Sequence, residues 1–121
     1  MMLARELGAW GEERAAKYLR RRGYTIVERN FRCRFGEIDI IAKRRDILAF
    51  VEVKLRKNAN FAEAREFVTA AKQQRVITAA GLWLASHATE LQPRFDVIEI
   101  YAPESENTRE PKIIHIENAF D

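Results

Sequence analysis

Two neighbouring segments alternate apolar and polar residues with period two, which is the pattern of half-buried β-strands. The segments are residues 36–41 (GEIDII) and residues 50–54 (FVEVK). Their polar positions carry charged side chains, namely Glu37, Asp39, Glu52 and Lys54. Because charged side chains are seldom placed in core strands without a partner, this pair of strands constrains the fold and the function more than any other part of the chain.

The connection between the two segments predicts an antiparallel hairpin. A turn centred on Arg45–Asp46 places Asp39 opposite Glu52 on one face of the hairpin. The same register places Glu37 opposite Lys54, and we expect these two side chains to pair, although Glu37 as a metal ligand is the alternative. The apolar positions then face a core together: Ile38, Ile40, Val51 and Val53.

The expected pairing of Asp39 with Glu52 needs a physical remedy. Two carboxylates about 4 Å apart repel by about 4 kcal/mol at an effective dielectric of about 20. One of them holds a proton, or a cation bridges them, or the register is different. A divalent cation is the remedy with a chemical use, since carboxylate oxygens suit Mg²⁺ or Mn²⁺. Lys54 would then lie beside the ion, where it orients a water or stabilises charge on a phosphate.

Length and composition are those of an ordinary globular chain. The 121 residues, 47% hydrophobic and 32% charged, predict one domain over residues 1–121. The sequence contains no apolar run of about 18 residues and no signal pattern, so we expect no membrane span and a cytoplasmic location. The single cysteine, Cys33, excludes an internal disulfide. His87 and His115 match no metal-ligand spacing and are expected to be incidental.

Positive charge is concentrated in the first part of the chain. Residues 1–75 hold 18 Lys and Arg against 10 Asp and Glu, whereas residues 76–121 hold 3 against 8. The net charges of +8 and −5 give the total of +3. A basic half of this kind favours a polyanion such as nucleic acid as the partner.

The periodicity predicts two helices and five strands. A helix over residues 3–22 ends at Gly23, and a second helix over residues 70–86 begins after the cap residue Thr69. The remaining strands are residues 24–29, residues 94–101 and residues 112–116. This order predicts an α/β (α+β) fold, with a central mixed sheet of about five strands flanked by helices.

Several basic residues are candidates for phosphate contacts. Arg32 and Arg34 alternate with Phe31, Cys33 and Phe35, as in a strand edge that presents two guanidinium groups, or simply in a turn. Lys72 and Arg75 lie in the first turns of the second helix, where the macrodipole does not favour cations. Bound phosphates are one explanation for their presence there.

The spacing of Asp39 and Glu52-Val53-Lys54 resembles the PD-(D/E)XK signature of restriction-endonuclease-like nucleases. Over nearly the whole chain, the sequence is similar to the YraN-like bacterial family within that superfamily. The resemblance is carried by these positions: Gly11-Glu12, Tyr18-Leu19, Gly23-Tyr24, Arg29-Asn30, Gly36-Glu37-Ile38-Asp39, Phe50-Val51-Glu52-Val53-Lys54, Lys72, Arg75, Arg94-Phe95-Asp96 and Asn118-Ala119-Phe120. Three positions depart from the pattern, with Ile38 in place of Pro, Leu55 in place of Thr or Ser, and Arg45 in place of Gly.

The resemblance implies a restriction-endonuclease-like core and a metal-dependent site. Asp39, Glu52 and the carbonyl of Val53 would bind Mg²⁺ or Mn²⁺, and Lys54 would position the attacking water. A glutamate on the first helix often adds a carboxylate in related enzymes such as archaeal Holliday-junction resolvases. Glu12 is similar to that glutamate, and the neighbouring Glu13 is the alternative.

Together these observations predict an Mg²⁺-dependent endonuclease that cleaves DNA or a branched nucleic acid. The catalytic residues would be Glu12, Asp39, Glu52 and Lys54, and the phosphate-binding residues Arg32, Arg34, Arg56, Lys72 and Arg75. Nucleases of this type often form homodimers to cut both strands. The alternative is a nucleic-acid-binding module with a vestigial site. A surface ladder of charges without function is disfavoured by the expected pair of like charges at Asp39 and Glu52.

Overall fold

Five strands form one mixed sheet in which each strand lies beside its neighbour in the chain. The structure is a computed structural model that describes residues 3–57 and 68–121. Its helices and strands are α1 (Ala4–Arg21), β1 (Thr25–Cys33), β2 (Gly36–Arg44), β3 (Ile47–Arg56), α2 (Ala70–Ser86), β4 (Gln92–Tyr101) and β5 (Lys112–Phe120), with a 3₁₀ turn at Ser105–Asn107. The predicted mixed sheet flanked by helices is confirmed.

The pairing of β3 with β4 is parallel, and the other three pairings are antiparallel. Parallel neighbours need a long crossover connection, and α2 lies in the connection between β3 and β4. The most regular pairing runs through β3 and β4, from Ile47 with Gln92 to Arg56 with Tyr101. The hairpin strand β3 is therefore held on both sides along much of its length.

The helices cover opposite faces of the sheet. The helix α1 packs with one cluster of buried residues: Ala15, Ala16, Leu19, Tyr24, Ile40, Ala42, Ala49, Val51, Ile98 and Ile100. The helix α2 packs with the other cluster: Ile38, Ile41, Leu48, Phe50, Val68, Val76, Ala79, Ala80, Trp83, Val97 and Phe120. The alternation in β3 explains this division, because successive side chains of a strand point to opposite faces.

Local signals set the ends of both helices where the sequence predicted them. Gly23 has a φ of +89° directly after α1, a conformation that glycine adopts without a steric penalty. At the other helix, the Thr69 hydroxyl accepts a hydrogen bond of 3.1 Å from the backbone N–H of Lys72. This bond satisfies one of the N–H groups that a helix start leaves without an intrahelical partner.

The predicted register of the hairpin is confirmed from Arg44 with Ile47 to Ile40 with Val51, but the pairing ends there and does not include Asp39 with Glu52. The tight turn requires a left-handed residue, and Arg45 supplies it with a φ of +55°. One expectation was wrong, because Ile38 packs in the α2 cluster whereas Ile40 packs in the α1 cluster. The two residues separate at the point where β2 leaves its partner strand.

All five strands are longer than the sequence predicted, and three of them extend the most clearly at their ends. The edge strand β1 continues through Arg32 to Cys33. Arg32 therefore lies on the edge strand, and Arg34 lies in the turn that follows it. The strand β3 continues to Arg56, and β5 continues to Phe120, whose ring stacks on Phe95 with centroids 5.4 Å apart. Backbone pairing with a neighbour extends these strands beyond their apolar runs, and pairing is not visible in local composition.

Candidate functional site

The candidate site lies where β2 and β3 separate. Cross-strand pairing begins at Ile40 and Val51, so the next residues toward the start of β2 have no strand partner on that side. Here a side chain takes the place of a backbone acceptor, because Oδ2 of Asp39 accepts a hydrogen bond of 2.8 Å from the Val53 N–H. The side chain of Asp39 is therefore fixed between the two strands.

Three carboxylates from two elements meet at this position. Within the described residues, one oxygen each of Glu12, Glu37 and Asp39 lies within 4.8 Å of the others. Glu12 comes from α1, and the other two come from β2. The sequence left Glu12 and Glu13 as alternatives, and the structure places Glu12 in the cluster because Glu13 pairs with Arg29 at 3.3 Å. We call these three residues the acid cluster.

Asn30 holds the helix carboxylate of the acid cluster in place. Its side chain forms a hydrogen bond with Glu12, and its backbone has a φ of +55°. Asparagine is among the few residues that tolerate this left-handed conformation. The sequence analysis did not identify this role, since nothing in the local pattern shows that Asn30 faces the first helix.

Glu52 lies beside the acid cluster but is held by lysines. Its Oε1 lies 2.9 Å from Nζ of Lys72 and 3.8 Å from Nζ of Lys54, and the residue is only 5% exposed. The expected pairing of Glu37 with Lys54 is corrected, because Glu37 instead contacts Arg32 at 3.4 Å on the neighbouring strand. The opening between β2 and β3 turns Glu37 toward β1 and toward α1.

The surroundings of Asp39 raise its pKa from 3.8 to about 7. Burial is the largest cause, followed by the negative charge of Glu52, while the Val53 N–H acts in the opposite direction. The pKa of Glu12 is also raised, mainly by burial and in part by Glu37. Asp39 therefore relieves the repulsion between carboxylates by keeping its proton up to about neutral pH, which is the first of the three remedies.

Burial lowers the pKa of Lys54, and the charges of Lys72 and Arg56 lower it further against the opposing effect of Glu52. A lysine with a lowered pKa gives up its proton more readily than an exposed lysine does. Titratable groups with opposite shifts at one position are typical of functional sites, although ion pairs can also produce them. Here a raised acid, Asp39, and a lowered lysine, Lys54, lie at the same end of the hairpin.

The donor set of the acid cluster fits a hard divalent cation. Octahedral Mg²⁺ binds oxygens at about 2.1 Å, which separates neighbouring ligands by about 3 Å and opposite ligands by about 4.2 Å. The oxygens of the acid cluster lie within 4.8 Å of one another, so shifts of about 1 Å or less would bring them to one ion. Carboxylate oxygens also match the preference of Mg²⁺ and Mn²⁺ for hard ligands.

This fit predicts that Mn²⁺ stabilises the protein through the acid cluster. At an ion concentration about 100 times the Kd, binding to the folded state alone stabilises it by about 2.7 kcal/mol. Thermal unfolding should therefore shift upward by several degrees with Mn²⁺ for the wild type but not for Glu12→Gln. Glu13→Gln is the matched control and should behave as the wild type; an equal shift for both variants would contradict the site.

The predicted phosphate-binding residues differ in their exposure and in the contacts that their side chains make. Arg32 has 74% of its side chain accessible, and Arg34 stacks over the Phe35 ring at 4.8 Å from the ring centroid. Lys72 is committed to Glu52, and this carboxylate explains a cation at the start of α2. Arg75 packs against Gly36 at the start of β2.

An open cleft of about 460 Å³ leads to the acid cluster from the α1 side. Glu12 and Glu37 line this cleft together with Arg5, Asn30, Arg32 and small residues of α1. Arg5 was not predicted as a site residue, since the first turn of α1 carries no motif. A phosphate in this cleft would have two guanidinium groups and the acid cluster within the same cavity.

A second polar network surrounds Asp96, which lies on β4. Its carboxylate is fully buried and accepts hydrogen bonds from Arg94, His115 and the backbone N–H of Asn118. The expectation that His115 is incidental is corrected, because its Nε2 lies 2.7 Å from Asp96 Oδ2. This contact joins residues on two strands, so no metal-ligand spacing could have predicted it.

The described residues form a three-layer protein, helix on sheet on helix, with a carboxylate cluster where two central strands separate. The chain belongs to the uncharacterised protein family UPF0102, whose sequence profile matches residues 11–100. This membership confirms the YraN-like family that the motifs resemble.

Similar relatives extend over almost the whole chain. A UPF0102 protein of Caldanaerobacter subterraneus subsp. tengcongensis is 45% identical over 115 residues, covering 94% of this chain and 93% of the relative. One from Nitrosomonas europaea is 41% identical over 121 residues, covering 100% and 98%. One from Geobacter sulfurreducens is 44% identical over 118 residues, covering 95% and 88%. The names of these relatives state the family and no activity.

Neither helix within residues 3–57 and 68–121 is long and apolar enough to cross a membrane.

Proposed function

We propose that this protein is a metal-dependent endonuclease of the restriction-endonuclease-like superfamily, acting on DNA or a branched nucleic acid. The observation that carries the proposal is the meeting of Glu12 from a helix with Asp39 from a hairpin strand, beside Lys54 of the next strand. The resemblance to the PD-(D/E)XK signature assigns roles to the same three residues. Fold and motif thus support one reaction class.

The acid cluster would hold Mg²⁺ or Mn²⁺, with Glu52 and the Val53 carbonyl as the further oxygens that the motif implies. When bound, such an ion lowers the pKa of a water ligand and stabilises negative charge on a phosphate. The pKa of Asp39 of about 7 means that this ligand binds in competition with a proton. Metal binding would therefore strengthen as the pH rises toward neutrality.

Lys54 would orient the attacking water and stabilise charge on the scissile phosphate. Its side chain is 21% exposed and lies 3.8 Å from Glu52, so the ammonium is fixed near the site without being sealed from it. Because burial lowers its pKa, it can release a proton more readily than an exposed lysine. The guanidinium groups of Arg5 and Arg32 in the cleft would bind the phosphates on either side of the scissile phosphate.

A nucleic-acid-binding module with a vestigial site is the second candidate. The pair of Lys72 and Glu52 at 2.9 Å favours it, because an ammonium on that carboxylate replaces part of the charge that a cation would supply. In this case the protein would bind nucleic acid with a steep dependence on salt and would cleave nothing.

Cleavage assays separate the two candidates. Plasmid and four-way-junction DNA are incubated with the protein and Mg²⁺ or Mn²⁺, and EDTA serves as the blank. We expect nicking by the wild type, and we expect Asp39→Ala to fall to the EDTA level because it removes the central carboxylate. Identical behaviour of the wild type and Asp39→Ala would eliminate the nuclease, and Asp46→Ala in the hairpin turn is the matched control.

A further inference from the structure

A second cleft, of about 520 Å³, lies between α1 and the segment that precedes β5. Its charged lining residues are Arg14, Lys17, Arg21, Arg22, Arg109 and Glu110. Five cations against one carboxylate make this cleft strongly basic. We call it the basic cleft.

The cations of the basic cleft form no ion pair with any other described residue. Arg14 and Arg22 lie over the rings of Trp10 and Tyr18, at 5.2 Å and 5.0 Å from the ring centroids. These ring contacts orient the guanidinium groups and leave their charge available to a ligand.

The spacing on α1 places three of the cations in one row. Arg14, Lys17 and Arg21 follow at intervals of three and four residues, which are neighbours on a helix surface. Like charges at these intervals destabilise a helix, so a bound anion is the natural compensation. Seven residues of helix span about 10 Å, which matches about three phosphate-to-phosphate steps of a strand at about 3.4 Å of axial rise each.

The helix α1 separates the basic cleft from the acid cluster. At 3.6 residues per turn, Arg14 points about 200° away from Glu12 around the helix axis. Accordingly, Glu12 lines the cleft on one flank of α1, and Arg14 lines the cleft on the other. A ligand in the basic cleft therefore does not occupy the acid cluster.

We propose that the basic cleft is a second nucleic-acid site, which binds the phosphate backbone of a segment that does not reach the acid cluster. An elongated row of cations in a concave cleft suits a phosphodiester strand better than a flat lipid surface. The inference deepens the proposed function by giving the substrate a second contact on the far flank of α1. Binding at this cleft needs neither metal nor cleavage, so it can be tested separately.

The experiment measures the affinity of a labelled DNA duplex in EDTA by fluorescence anisotropy over a series of salt concentrations. Arg21→Ala/Arg109→Ala should bind about 3- to 10-fold more weakly, and the slope of log K against log salt should fall by about 2, since each lost phosphate contact removes about 0.9. The matched control is Arg20→Ala/Lys112→Ala, which removes the same charge from exposed residues outside the cleft. The control should lose at most about 2-fold.

Each alternative result decides the inference. Equal losses for the two double variants would overturn it, because the effect would then be one of net charge. Binding of anionic vesicles but not of the duplex would also overturn it and assign the cleft to lipid. Arg21→Lys/Arg109→Lys should restore most of the salt slope, which a loss of folding would not allow. Cleavage is scored with Asp39→Ala, so failure of the proposed nuclease leaves this measurement intact.

Discussion

Asp39→Asn is expected to be more stable than the wild type at pH 8 by about 2–4 kcal/mol, and nearly equal to it near pH 4. The folded state raises the pKa of Asp39 from 3.8 to about 7. Between these values the folded protein keeps a proton that the unfolded chain has released, so the stability of the wild type falls as the pH rises. A shift of about 3 units corresponds to about 4 kcal/mol, which is the upper limit of the gain.

Asparagine removes the titration without removing the structural contact. Its side-chain oxygen can accept the hydrogen bond that Asp39 receives from the Val53 N–H. Its amide can donate to the neighbouring carboxylates of Glu12 and Glu37, which no longer face an ionised Asp39. The stability gain thus measures the cost of holding a third carboxylate at the acid cluster.

Urea unfolding of both proteins in EDTA from pH 4 to pH 8 tests this expectation. Asp46→Asn is the matched control, since Asp46 is an exposed residue of the hairpin turn, and it should follow the wild type at every pH. A constant difference between Asp39→Asn and the wild type across the range would contradict the expectation. A less stable Asp39→Asn at pH 8 would show that the ionised carboxylate stabilises the fold.

Local signals in the sequence were sufficient for the elements that hold the site. The period-two pattern and the turn at Arg45–Asp46 gave the hairpin register, and Thr69 gave the first turn of α2. The boundaries of α1 followed from its apolar stripe and from Gly23. These features depend on residues within a few positions of one another, where propensity and side-chain geometry decide the outcome.

The details of the site depend on contacts between distant residues, and these were not predictable. Glu12 was separated from Glu13 only by its position beside Asn30 in space. The pair of Lys72 with Glu52 joins α2 to β3, and no spacing rule relates them. The direction of the Glu37 side chain depends on the separation of β2 from β3. This separation interrupts the regular pleat, and the apolar–polar alternation of the sequence does not show it. The site residues were therefore foreseen as a set, but their partners were not.

The Asp96 network predicts the largest loss of stability. Asp96 is 0% exposed. Its carboxylate accepts hydrogen bonds from Nε and Nη2 of Arg94, at 2.9 and 2.8 Å, and from Nε2 of His115 at 2.7 Å. Asp96→Ala would leave Arg94 and His115 without this acceptor in the α1 core. Breaking a buried charge pair by removing one partner costs about 3–5 kcal/mol, which lowers the Tm of a domain of this size by about 10–20 °C.

The exposed partner of the same arginine provides the matched control. Glu117 contacts Arg94 at 3.1 Å with half of its side chain accessible, so Glu117→Ala should cost at most about 1 kcal/mol. Both variants are compared with the wild type by urea unfolding at pH 7. Equal losses for Asp96→Ala and Glu117→Ala would show that the buried carboxylate does not anchor β4 to β5.

The pH dependence adds a second readout with a definite sign. Burial alone would raise the pKa of Asp96, but the hydrogen bonds from His115, Arg94 and the Asn118 N–H together hold it below 3.8. The stabilisation from this carboxylate is therefore complete above pH 3.8 and is lost as the pH falls through the lower folded pKa. The difference between the wild type and Asp96→Ala should be constant near neutral pH and shrink only in acid, the reverse of the trend expected for Asp39.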